Sequence, residues 1–141
     1  MSRIVVCAAV VERDGRFLIT KRQKGVHLEG LWEFPGGKCD PGETLPACLA
    51  RELREELDVE VATGEEVFTT VHAYSDRLVE LHFLRCELTG EPVPQMGQQM
   101  QWAARADLSR LPFPPADEEL IRLLTTGGPE GPSSTLVGPG L

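Results

Sequence analysis

No two of the four cysteines, Cys7, Cys39, Cys48 and Cys86, are spaced C-x-x-C, so the chain carries neither a zinc pattern nor a disulfide framework. They read as buried, reduced thiols of a cytoplasmic protein. Basic residues are scarce: 14 Lys and Arg face 22 Asp and Glu, for a net charge of −8. That balance excludes the basic stripe needed to hold a nucleic-acid backbone, so a polyanion could bind only where metal ions supplied positive charge. No apolar run approaches the roughly 20 residues of a membrane span. The N-terminal IVVCAAVV runs into ERDGRF with no small-residue cleavage site, which reads as a strand rather than a leader. Internal repeats are absent. The 141 residues suit one compact domain, over 1–126. The last fifteen residues, GGPEGPSSTLVGPGL, are expected to be a disordered tail over 127–141, because so much Gly and Pro cannot bury a face.

What is present alternates between two periods. Ile4 to Val11 is rich in β-branched residues and precedes Asp14-Gly15 and Phe17-Leu18-Ile19, the pattern of a hairpin with a D-G turn. Gly25 to Glu43 has the composition of a long loop. Thr44 then stands as an N-cap ahead of Leu49, Leu53 and Leu57, whose spacing predicts a helix ending near Asp58. Val59–Val61, Val67–His72 and Leu78–Leu88 read as strands, the last two joined around Ser75-Asp76; Gln101–Ala104 is a short strand, and Asp117 to Leu124 has the spacing of a closing helix. This order predicts an α+β (mixed α/β) fold with one sheet between helices.

The central helix carries the chemistry. At 100° per residue, Glu52, Glu55 and Glu56 fall within about 100° of one another, beside the leucine stripe rather than opposite it. Glu52 and Glu56 are an i,i+4 like-charge pair that costs the helix about a few tenths of a kcal/mol, which Arg51 and Arg54 offset only in part. A solvated acidic face is one reading. The other is a metal site, because a Gly-rich loop delivers Gly36-Gly37 and Glu43 to the same end of the helix. Grouped carboxylates with a backbone carbonyl are ligands for Mg²⁺ or Mn²⁺.

Gly37, Glu43, Arg51, Glu52, Leu53, Glu55, Glu56 and Val59 match the Nudix box, G-x5-E-x7-R-E-U-x-E-E-x-G-U with U aliphatic. Asp58 stands where the family usually has Gly, and Asp tolerates the left-handed conformation. ITKR, LWEFPGGK and FPPADE extend the resemblance over roughly residues 3 to 125, toward the MutT-like branch that includes 8-oxo-dGTP diphosphatases and CTP pyrophosphohydrolases. The resemblance implies an α/β/α sandwich with a mixed central sheet and Mg²⁺-dependent hydrolysis of a nucleoside triphosphate to monophosphate and pyrophosphate, clearing damaged or modified nucleotides. It implies Glu52, Glu55, Glu56 and the Gly37 carbonyl as metal ligands, Glu52 as base, and Arg51 and Glu43 as residues that orient the carboxylates.

The MutT-like branch has a further loop glutamate, where this chain has Met96; Glu91 is a candidate substitute. Arg22, His27, Phe34, Arg77 and Asp117 match positions that contact the nucleotide, although His27 and Arg77 also suit a solvated loop and turn, and Phe34 simple core. Asp117 carries the substrate question, since 8-oxoguanine enzymes of the branch have Asn there. An ionised Asp only accepts hydrogen bonds, which suits the cytosine amine of CTP, dCTP or 5-methyl-dCTP; a protonated one also donates. Capping the last helix is a third role for it. A non-catalytic nucleotide-binding module is the alternative of another class. A monomer or weak homodimer without nucleic-acid or membrane partners is expected.

Overall fold

The computed structural model describes residues 2–126, so the expected tail over 127–141 lies outside the described residues. Ten elements follow in order: β1 (Ser2–Val10), β2 (Glu12–Arg13), β3 (Arg16–Lys21), β4 (Trp32–Glu33), β5 (Gly36–Lys38), α1 (Leu45–Leu57), β6 (Glu60–Ala73), β7 (Arg77–Thr89), β8 (Met100–Ala104) and α2 (Glu118–Thr126). A 3-10 turn at Pro115–Asp117 leads into α2.

The strands form a mixed α+β arrangement, and they fall into two sheets where one was expected. The first runs β5-β1-β7-β6, with β1 parallel to β7 and the outer pairs antiparallel. In the second, antiparallel sheet, β3 is flanked by β2, β4 and β8. The D-G turn forms as expected, with Asp14 at φ 52° and Gly15 at φ 77°, but it joins β2 to β3. β1 leaves that hairpin because its long apolar run is buried on both faces beside β7, a position that the two-residue β2 does not fill. The expected loop over 25–43 contains β4 and β5, and the strands read separately at 59–61 and 67–72 are one β6 with bulges after Thr63 and Glu66.

Alternation along the strands divides the core in two. Val10, Phe17, Ile19, Phe83 and Leu120 gather on the α2 side, while Cys7, Ala9, Leu18, Leu49 and Leu53 gather on the α1 side. Helices on both faces of the strands give the sandwich. α1 begins where Thr44 Oγ1 accepts from the Ala47 N–H at 3.2 Å and ends at Asp58, left-handed at φ 51°, whose N–H donates to the Arg54 carbonyl. Leu49, Leu53 and Leu57 are fully buried. Each contributes about 1.5–3 kcal/mol by removal from water, which fixes the helix's rotation and hence the direction of its glutamates. No helix among the described residues is long and apolar enough to cross a membrane.

Candidate active site

With the leucines inward, Arg51 lies at the centre of the acidic patch. Its Nε and Nη2 grip both Glu43 oxygens at 2.8 and 2.9 Å, its Nη1 reaches Glu52 at 3.0 Å, and Nη2 also donates to the Lys38 carbonyl at 3.0 Å. These bonds and the Asp40 N–H hold the Glu43 carboxyl down to about 2. Arg51 is in turn kept charged, chiefly by Glu43.

Glu56 has the opposite surroundings. Burial first, then a hydrogen bond to Glu52 and the charges of Glu52 and Glu33, push its carboxyl up to about 9; only the Gly36 N–H opposes them. Gly37 makes the crowding possible, since a methyl there would stand 2.7 Å from Glu52 Oε2. Two carboxyls crowded together, with further oxygens nearby, are the donor set of a hard divalent cation, so the residues fit the ion. Glu55 stands apart from this pair: its side chain is 61% exposed and touches Arg51 at 3.5 Å. The Gly37 carbonyl, expected beside the carboxylates, is directed at the Cys48 and Cys7 thiols, 3.7 and 3.9 Å away.

The segment after β7 docks on the end of α1. The Val93 N–H donates to the Leu57 carbonyl at 2.8 Å, while the Gln95 N–H and the Gln98 side chain donate to the Glu56 carbonyl at 2.9 and 3.0 Å. Neither candidate from this segment brings a carboxylate to the site. Met96 has none, and Glu91, the suggested substitute, pairs with Arg13 at 3.0 Å and points to solvent. The buried Gln98 escaped the sequence reading, because its role is to satisfy a helix terminus that only the folded chain brings near.

Glu56 and Gly37 line a cleft of about 430 Å³, and Arg22, His27, Phe34, Arg77 and Asp117 line it with them. β3 and the loop after it carry Arg22, which donates to Glu33 at 2.7 Å and to the His27 carbonyl. His27 meets Tyr74 edge to face with 5.2 Å between ring centroids, and Arg77 lies 5.9 Å over the same tyrosine. Arg77 Nε is buried without a hydrogen-bond partner among the described residues. Phe34 stacks on Phe113 at 5.5 Å and also belongs to the core.

Asp117 is 5% exposed. Burial, then the charge of Glu33, push its carboxyl up to about 7 against the pull of Arg22. No hydrogen bond to its carboxyl forms among the described residues, and its N–H donates to Pro114 O instead, so it does not cap α2. The Trp32 N–H donates to the Pro112 carbonyl at 2.8 Å, which draws Pro114 to Asp117 over the cleft. Glu33 and Tyr74 are lining residues that sequence reasoning missed. Alternation between buried Trp32 and Phe34 is the signal for Glu33, because it turns the intervening side chain to the other face.

Two arginines in a cleft beside a cluster of carboxyls agree with a family match over residues 6–123 to the NUDIX domain. The chain belongs to the Nudix family and is a hydrolase acting on phosphoric anhydride bonds; enzymes of this family need a divalent cation. Among its relatives, it is 37% identical over 122 residues to the CTP pyrophosphohydrolase of Escherichia coli K12, covering 86% of this chain and 90% of that one. It is 36% identical over 124 residues to the 8-oxo-dGTP diphosphatase of Haemophilus influenzae, with the same coverage. Of solved structures, the E. coli ORF135 protein superposes with a TM-score of 0.80 at 35% identity, covering 92% of this chain and 96% of that one. MutT from methicillin-resistant Staphylococcus aureus 252 superposes with a TM-score of 0.74 at 33% identity over 91% and 100%.

Proposed function

We propose that this chain is a Mg²⁺-dependent nucleoside triphosphate diphosphohydrolase of the 8-oxo-dGTP type, releasing a monophosphate and pyrophosphate in the cytoplasm as a monomer or weak homodimer. The observation that carries the reading is the lining of the cleft: Glu56, crowded by Glu52, shares it with Arg22, Arg77, Phe34 and Asp117.

In this reading Glu52 and Glu56, with Glu55 from the rim, hold the cation, which when bound neutralises phosphate charge and lowers the pKa of water. Glu52 accepts the proton of the attacking water, and Arg51 fixes its carboxylate through the 3.0 Å contact. Glu43 keeps Arg51 in place. Arg77 lines the cleft and supplies positive charge to the phosphates, and Arg22 and His27 border the sugar and phosphates. Phe34 flanks the base. Asp117, with a carboxyl near neutrality, is partly protonated at pH 7 and in that form can both donate to O6 and accept from N7–H of an oxidised guanine.

The same carboxyl favours a second reading above that pH. Ionised, it accepts from an exocyclic amine, as CTP, dCTP or 5-methyl-dCTP would require, and Arg22 nearby favours the ionised form. Pyrophosphate release from 8-oxo-dGTP, dGTP, CTP and 5-methyl-dCTP across pH 6 to 9 separates the two, with Asp117→Asn alongside. We expect 8-oxo-dGTP preference in the parent to fall as pH rises through about 7, and the Asn variant to lose that dependence. A pH-independent preference shared by parent and variant would remove Asp117 from base recognition. No pyrophosphate from any of these substrates would end the triphosphate reading and leave hydrolysis of a different phosphoric anhydride.

A further inference from the structure

Three of the four cysteines, separated along the chain, meet in the fold. Cys7 lies on β1, Cys39 follows β5, and Cys48 is in the first turn of α1. Cys7 Sγ stands 2.8 Å from Cys48 Sγ and 3.6 Å from Cys39 Sγ, and one sulfur from each residue lies within 4.8 Å of the others. Cys7 and Cys48 are fully buried, while Cys39 is half-buried. The Gly37 carbonyl lies 3.7 Å from Cys48 Sγ and 3.9 Å from Cys7 Sγ, and the Leu45 carbonyl 3.9 Å from Cys7 Sγ.

We propose that Cys7, Cys39 and Cys48 form a binding site for a thiophilic d¹⁰ cation, Zn²⁺, Cd²⁺ or Cu⁺, with a backbone carbonyl as oxygen donor. A Zn–S bond of about 2.3 Å places tetrahedral sulfurs roughly 3.8 Å apart, so shifts of about an ångström bring the three thiols to coordination distance. Three sulfurs from three elements enclose one point, whereas a disulfide would use two and leave the third idle. Soft thiolates discriminate against Mg²⁺, whereas the nearby carboxyls favour it, so the two sites select different ions. On binding, the three thiol protons pass to solvent. The sites share Gly37, whose carbonyl meets the sulfurs and whose Cα packs on Glu52. Resting on the hydrolase reading, occupancy is therefore expected to lower Mg²⁺-dependent turnover.

The test is titration of the reduced, full-length chain with Cd²⁺ under anaerobic conditions, with Mg²⁺ in excess, read by thiolate-to-cadmium charge-transfer absorption. Only sulfur ligands produce this band, so it reports the site whether or not the protein hydrolyses anything. We expect saturation at one equivalent. Cys39→Ser and Cys48→Ser should each weaken binding by at least about tenfold, the lower end of the cost of disturbing even an outer metal shell. Glu52→Gln should retain the band. The half-buried Cys39 keeps the test open if Cys48→Ser fails to fold. Absence of the band at stoichiometric Cd²⁺, its survival in Cys39→Ser, its loss in Glu52→Gln, or a Cys7–Cys48 crosslink in the isolated protein would overturn the proposal.

Discussion

Two pairs on the acidic face of α1 hold their carboxyls in opposite ways. Glu43 receives both arms of Arg51 and a backbone N–H, so its charge is satisfied within the chain and its carboxyl lies at about 2. Glu56, half-buried beside Glu52, has no cation paired with it among the described residues and lies at about 9. The contrast comes from placement, because both are glutamates on one short stretch of sequence. An acidic side chain that finds its counterion at home serves the scaffold; one that is denied it is available to an ion from solution.

The largest expected effect breaks the unsatisfied pair. Glu52→Gln should lower kcat with Mg²⁺ by about 10²–10⁴, the usual worth of a general base, with the thermal midpoint unchanged or raised because a like charge is gone. Steady-state kinetics with a melting curve decide this, and unchanged turnover would end the proposed mechanism. Gly37→Ala comes next: the added methyl drives into the Glu52 carboxyl. A displacement of about an ångström there should cost up to about 10² in kcat, with KM for the nucleotide little changed. Activity equal to the parent would mean that the contact is slack.

The smallest effect sharpens the comparison through pH. Glu56 has its folded value raised from 4.5 to about 9, so between those values the folded state holds a proton that the unfolded chain has lost. Stability of the metal-free protein from this group therefore falls as pH rises from about 5 to 9. Glu43 has the reverse sign, since its value is lowered to about 2. Its contribution is present above about 4.5 and is lost as pH falls toward 2. Urea melts across pH should show the first slope flattened by Mg²⁺ and the second untouched, because metal replaces a proton only at the unsatisfied pair. Equal flattening of both would dissolve the distinction.

Helix α1 is legible in the sequence, because a leucine every four residues, Thr44 and Asp58 act within a turn or two of chain. The convergence of Arg22, His27, Phe34, Arg77 and Asp117 on one cleft is legible only through family resemblance, since no local pattern links residues so far apart. The hairpin is half legible: the D-G turn is a local signal, but whether β1 or β2 pairs with β3 is settled by which strand β7 draws away. Glu33 shows in the sequence only through the alternation of Trp32 and Phe34, and Gln98 leaves little trace, because its partner, the end of α1, comes from another element.

Helix α1, its acidic face and the family follow from the amino-acid order alone, since periodicity, capping and motif spacing are short-range properties of the chain. Which glutamate is neutralised by Arg51, and which is crowded against its neighbour, is set by tertiary packing. Packing also brings three scattered cysteines to one point. Burial and Coulomb interactions depend on distances in space, and those distances exist only after the sheets and helices have packed.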